Sequence, residues 1–158
     1  TLPHAAMLIA GDTLKIARAY DEVMPDQHKR IVLVDTFKDE VEESLRIAEE
    51  LGSKLYGIRL DTPSERGGVT SYLVMELRAK LDINGFGHVK IFVSGGLTPE
   101  KIRELSEAGA DSFGVGSYIS GAPAIDMTMD IKEVAGNPVA KRGRIPGLIN
   151  NEKLHKII

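Results

Sequence analysis

Apolar and polar positions along this chain follow two periods that take turns. Ile31 to Asp35 (IVLVD) is a continuous apolar, β-branched run, as in a strand covered on both faces. In the DEVEESLRIAEELG that follows, Val41, Leu45 and Ala48 recur at helical spacing, with Asp39 as N-cap, Glu42 three residues on and Gly52 as the stop. The unit then repeats. Leu55 to Leu60 (LYGIRL) reads as a strand, and a helix within Val69 to Leu81 carries Leu73, Leu77 and Leu81. Val89 to Ser94 (VKIFVS) reads as the next strand, before a helix with Thr98 as N-cap, Pro99 at its first position and Ile102 and Leu105 facing inward. Asp111 to Gly116 (DSFGVG) is a last short strand, and upstream Asp12 caps a helix bearing Ile16, Tyr20 and Val23.

Strands and helices alternating through short connections predict right-handed βαβ units and a parallel sheet. Four strands do not close a barrel, which takes eight strands and typically ~250 residues. The alternatives are a small open sheet and the second half of a TIM-like (β/α) barrel, and the Thr1 start and the departing tail favour the second. In that tail Met127, Met129 and Ile131 alternate with Thr128, Asp130 and Lys132, and Gly136-Asn137 reads as a hairpin turn before Val139. The expected division is therefore a partial α/β barrel over 1–125 and an extension over 126–158 that adds antiparallel strands to a second domain. The last ten residues read as a terminal helix.

Composition narrows the function classes. At 158 residues and 42% hydrophobic content the chain is about the size of one domain with an ample core. A net charge of -3 supplies no field to attract nucleic acid or an anionic membrane. With no cysteine there is neither a disulfide framework nor a thiolate metal site. No run approaches the ~18 apolar residues of a membrane span, and no basic, signal-type leader opens the chain, so a cytoplasmic location is expected.

Two glycine-bearing strand ends carry the candidate chemistry. Gly95-Gly96 lies between a strand and a helix, where bare backbone lets an anion approach unpaired N–H groups. About twenty residues on, Phe113-Gly114-Val115-Gly116-Ser117 repeats the opportunity with a hydroxyl added. Together the two could clamp one phosphate, as the loops after strands 7 and 8 of a barrel do. The bland alternatives are a tight turn and, for Gly114 and Gly116, close packing at a barrel mouth. At the same edge lie Asp35-Thr36, Arg59, Asp61 and Thr62. Asp35 reads equally as a helix N-cap. Arg59, within an apolar strand, requires a partner or a use, and Asp61 is available as that partner. His28, His88 and His155 lie in polar surroundings, no spacing suggests a zinc site, and KRGR (Lys141 to Arg144) is a short solvated turn or an anion contact.

TLPHA, IVLVDTF, GIRLDT, KIFVSGGL and DSFGVGS, in this order and spacing, resemble the C-terminal half of archaeal-type nicotinate phosphoribosyltransferases from Thr1 to about Gly147. The tail lacks the cysteine knuckle of some relatives. The resemblance implies a type II phosphoribosyltransferase making nicotinate mononucleotide and diphosphate from nicotinate and phosphoribosyl diphosphate, with Mg²⁺ and with ATP as co-substrate. It implies a homo-oligomer that also needs an N-terminal half absent from this sequence. His4 matches the family histidine phosphorylated by ATP, Arg59 and Asp61 match the pair at the pyridine and ribose end, and Thr36 and Thr62 stand beside the strand-end charges as substrate contacts. Ser94, Gly95, Gly96, Gly114, Gly116 and Ser117 match the loops holding the 5′-phosphate. Asp35 and Asp61 are then the carboxylates that face a cationic sugar transition state. Three rivals stand beside this reading: quinolinate phosphoribosyltransferase, another phosphosugar barrel enzyme, and a non-catalytic nucleotide-binding module. The second needs a basic group at a strand end, whereas Lys90 begins its strand.

Overall fold

Helix starts in this protein are set by side chains that accept the first free N–H groups. The computed structural model describes residues 1–153 and 155, in two units, Thr1–Ala122 and Pro123–Ile158. In the first unit α1 (His4–Ala10) and α2 (Thr13–Val23) precede β1 (Arg30–Leu33), α3 (Glu40–Leu51), β2 (Leu55–Leu60), α4 (Ser71–Ile83), β3 (Lys90–Ser94), α5 (Pro99–Glu107), β4 (Ser112–Gly114) and the short α6 (Ser117–Ser120). Asp12 caps α2 through the Lys15 N–H, Asp39 caps α3 through Val41 and Glu42, Thr70 caps α4 through Leu73, and Thr98 caps α5 through Lys101. Two helices, α1 and α6, carry no signal in the pattern of the sequence; α1 has no side-chain cap and anchors itself by burying Met7.

The four strands form one parallel sheet in the order β1-β2-β3-β4. A sequential order with right-handed crossovers stacks every connecting helix on one face, the arrangement found in a (β/α) barrel rather than in a doubly wound sheet. That face is fully buried at Val32, Ile58, Leu60, Ile91 and Val93, against Ile47, Val74, Leu77, Leu81 and Leu105 from the helices. On the other face the ring of Phe92 lies over Gly57, where a Cβ would come within 2.6 Å of Phe92 Cε2, so only glycine fits. A register shift between Arg30 and Ile31 leaves Tyr56 as an extra residue, and its ring sits 6.1 Å from that of Phe92. Arg30, only 4% exposed, ties the approach to β1 by donating to Asp21 Oδ1 and to the carbonyls of Asp21, Met24, Pro25 and His28.

Four expectations need correction. Val23 is 79% exposed because the inward face of α2 is centred on Thr13 and Ala17. In the second unit β5 (Glu133–Val134) and β6 (Asn137–Pro138) pair antiparallel, but the turn is Ala135–Gly136, both with positive φ (49° and 79°), one residue earlier than expected. The alternating Met127, Met129 and Ile131 form no strand and are exposed, since the described residues offer them no pairing partner. No helix forms over residues 149–153; the rest of the expected terminal helix, apart from residue 155, lies outside the described residues. Lys141–Arg144 is a turn in which Arg144 pairs with Asp130 at 3.5 Å.

Candidate functional site

The carboxyl ends of β1 and β2 gather polar groups that the fold itself leaves unpaired. Asp35 lies in the turn after β1 with its side chain 1% exposed, and its Oδ2 is 3.1 Å from His4 Nε2. Asp39, not Asp35, caps α3, so the capping role is filled elsewhere. Asp35 Oδ1, Thr36 Oγ1 and Arg59 Nε are buried without a hydrogen-bond partner; among the described residues Thr13 Oγ1 is the fourth such atom. Buried polar atoms are nearly always satisfied, so three orphans at neighbouring strand ends mark a place for a ligand. Arg59 reaches Asp61 only loosely, Nη2 to Oδ2 at 3.6 Å, and its Nε is free for a second acceptor. Thr62 is buried and its hydroxyl donates to Glu40 Oε1 at 2.8 Å, so that group is already engaged.

His4, Asp35, Thr36, Asp61 and Thr62 open onto two adjoining hollows, and Arg59 approaches them through Asp61. One, of about 340 Å³, is lined by His4, Leu8, Asp35, Thr36, Asp61 and Pro63. The other, of about 490 Å³, runs from Asp61 across the β2–α4 loop to Gly95, Gly96 and Lys101. Asp61 belongs to both. Another hollow, of about 620 Å³, lies at the opposite ends of the strands beside His28, Tyr56 and His88, away from the carboxyl ends where parallel α/β folds hold ligands.

The two glycine-bearing tips stand side by side, since Ser94 pairs with Gly114 in the sheet. Gly95 and Gly96 have φ of 96° and 57°, a region that side chains disfavour. Gly114 is a packing glycine: a Cβ there would lie 3.1 Å from Ser94 Cβ. Gly116 has φ -115° and open space around it, so neither conformation nor packing demands glycine. Gly116 and Ser117 are exposed and line neither hollow, while the Ser94 hydroxyl donates to Leu60 O at 3.4 Å.

Residues 1–130 match the family described as quinolinate phosphoribosyl transferase, C-terminal domain. The chain belongs to this family. It is 47% identical to the solved nicotinate-nucleotide pyrophosphorylase from Pyrococcus furiosus, with a TM-score of 0.76 over 94% of this chain and 38% of that one. Among curated proteins it is 35% identical over 114 residues to nicotinate phosphoribosyltransferase pncB1 of Mycobacterium tuberculosis, covering 70% of this chain. To pncB2 of the same organism it is 33% identical over 146 residues, covering 87%. The chain spans 24% and 30% of the length of those two relatives. The fold is thus that of the family's C-terminal, TIM-barrel-like domain, with the antiparallel hairpin after it.

For a member of this family the sequence left out part of the wall. The loop from Pro63 to Gly68 lines the larger hollow, Lys101 reaches it from the first turn of α5, and Glu40, 2% exposed, lies beneath the loop. Acidic and basic residues in the first turns of amphipathic helices are ordinary, so nothing in the spacing distinguishes Glu40 or Lys101. Among the described residues no group of three or more His, Cys, Asp or Glu could hold a metal ion. Asp35 and Asp61 on one hollow do fit the lighter demand of Mg²⁺, which takes one or two carboxylates and completes its shell with substrate phosphates and water. Among the described residues no helix is long and apolar enough to cross a membrane.

Proposed function

We propose that this chain carries the strand-end part of the active site of an archaeal-type nicotinate phosphoribosyltransferase, forming nicotinate mononucleotide and diphosphate from nicotinate and phosphoribosyl diphosphate. The observation that carries the reading is the trio of unpartnered atoms, Arg59 Nε, Asp35 Oδ1 and Thr36 Oγ1, at the neighbouring ends of β1 and β2. Arg59 donates to the pyridine carboxylate through Nε and a terminal nitrogen, a planar fork that suits a carboxylate. The ring nitrogen of nicotinate attacks C1 of the ribose as diphosphate leaves, and Asp61, with Asp35 behind it, stabilises the cationic sugar of the transition state. Bare amides at Gly95, Gly96, Gly114 and Gly116, with the Ser94 and Ser117 hydroxyls, take the 5′-phosphate. Thr36 adds a hydroxyl to the substrate, and Thr62 acts through the strand end it fixes. Asp35 and Asp61 are the side chains that would meet a Mg²⁺ ion, which would balance the charge of the leaving diphosphate.

The ATP coupling rests on His4. Its Nε2 donates to Asp35 Oδ2, so Nδ1 is the nitrogen left to take a phosphoryl group. The working assembly in this reading is a homo-oligomer that includes the remainder of the family's longer chains.

A quinolinate enzyme is the second reading, favoured by the description of the family that matches. Quinolinate bears two carboxylates; among the described residues Arg59 is the arginine that approaches Asp61, and Lys101 lines the adjoining hollow. The two substrates are separated by experiment. Arg59→Ala is expected to raise the nicotinate KM about 10- to 100-fold, the worth of hydrogen bonds to a charged group, while the KM for phosphoribosyl diphosphate changes little. Equal effects on both constants would remove Arg59 from this role, and turnover of quinolinate with release of CO₂ would replace the nicotinate reading.

A further inference from the structure

We propose that Glu40 is a positioning residue that pins the tip of β2 and the loop after it, and so fixes Asp61 against the sugar; this rests on the phosphoribosyl-transfer reading above. Glu40 opens α3 yet does not cap it, since Asp39 does, and its carboxylate lines neither hollow. It is nonetheless 2% exposed, a setting that penalises a charge unless something holds it. What holds it is one loop, at two points. Oε1 accepts from Thr62 Oγ1 at 2.8 Å, and Oε2 lies 3.7 Å from Arg66 Nη2. Thr62 adjoins Asp61 in the chain, and Arg66 ends the short turn Ser64–Arg66.

The stretch between these anchors is the wall of the hollow that Asp61 shares with Gly95 and Gly96. Just beyond the second anchor Gly67 and Gly68 have φ of 93° and 69°, where the chain changes direction into α4. Asp61 itself has only the 3.6 Å approach of Arg59 among its ion pairs, and Arg59 in the proposed function turns to the substrate. The position of the Asp61 carboxylate is therefore inherited from its neighbour Thr62, whose hydroxyl Glu40 holds from a capped, buried helix end. A carboxylate displaced by about 1 Å from its productive place can lower a rate on the order of 10²-fold.

The test uses the working assembly, this chain together with the remainder of the family's longer chains, and three variants. Glu40→Ala is expected to lower kcat about 10²-fold with both KM values within about threefold. Glu40→Gln retains an oxygen for Thr62 and is expected to recover most of that loss. Arg66→Ala, on a side chain 57% exposed, cuts the outer anchor without opening the interior and is expected to lower kcat severalfold even if Glu40→Ala fails to fold. In each variant that folds, amide hydrogen exchange should rise over residues 63–69 and stay unchanged in the sheet. Unaltered kcat in Arg66→Ala, or in a Glu40→Ala that folds, overturns the positioning role, as does loop exchange equal to wild type. A wild-type protein without pyridine phosphoribosyltransferase activity, but with faster loop exchange in the variants, overturns the functional reading and leaves the pinning of the loop intact.

Discussion

A glycine is needed either by its own backbone or by something that must approach it, and the strand-tip glycines separate these cases. At Gly95 the backbone requires it: φ is 96°, and a Cβ would lie 2.9 Å from Asp61 Oδ1. Gly95→Ala should therefore cost about 1–3 kcal/mol in backbone strain, measurable by urea unfolding, and should push Asp61 as well. At Gly116 nothing in the fold requires it, since φ is -115° and no atom lies within 4 Å of the added carbon. Gly116→Ala should leave stability within about 0.5 kcal/mol while raising the KM for phosphoribosyl diphosphate. Unchanged kinetics in that variant would take Gly116 out of the phosphate site. The same contrast explains what a reader of the sequence can find. Arg59 stands out because a guanidinium in an apolar strand violates the pattern. Glu40 and Lys101 obey the pattern of an amphipathic helix, and only their burial or the hollow they meet gives them away.

At the scale of elements, side chains finish what the ladders begin. Asp111, immediately before β4, accepts from the Ile91 N–H and from Lys90 Nζ, each at 2.9 Å, while its own N–H donates to Ile91 O. Burial pushes its carboxyl up, but the Ile91 N–H and the Lys90 ammonium together outweigh this and hold it below its ordinary value of 3.8. A depressed carboxyl binds its proton more weakly in the folded state, so the unfolded state gains protons first as pH falls. The stabilisation is thus complete above the ordinary carboxylate range and drains away below about pH 4. Asp111→Asn should be less stable than wild type at pH 7, and the gap should narrow below about pH 4 in urea titrations. A gap independent of pH would show that the charge of Asp111 contributes nothing. Elements bounded by caps and glycines were legible almost to the residue, as with β2 and α3. The Met127–Ile131 alternation was not, because period alone does not make a strand: its N–H and C=O groups need a neighbour.

For the molecule as a whole, the sheet order was readable from short connections between alternating periods, but what the order leaves uncovered was not. In β1-β2-β3-β4 both outer strands are edges, and every crossover helix lies on one face. The opposite face carries Ile31, Tyr56 and Phe92, all only half-buried, beside a hollow of about 490 Å³ that they line with Lys29 and Lys90. Helix periodicity could not forecast this, because Ile31 sits in an unbroken apolar run that reads as covered on both sides. Unpaired strand edges next to apolar side chains favour pairing with further strands. The polypeptide of residues 1–158, studied by itself, should therefore enhance the fluorescence of a hydrophobic dye and sediment as species larger than a monomer at micromolar concentration. Ile31→Lys sets a charge on edge strand β1, a device that natural sheets use against edge pairing, and should shift sedimentation toward the monomer. The charge acts on association without touching the helix-covered core of Val32, Ile58 and Ile91, so the thermal transition of that core should persist in the variant. A wild-type polypeptide that stays monomeric and leaves the dye dark would mean that this sheet face is satisfied as it stands, and that its half-buried aromatics are ordinary surface.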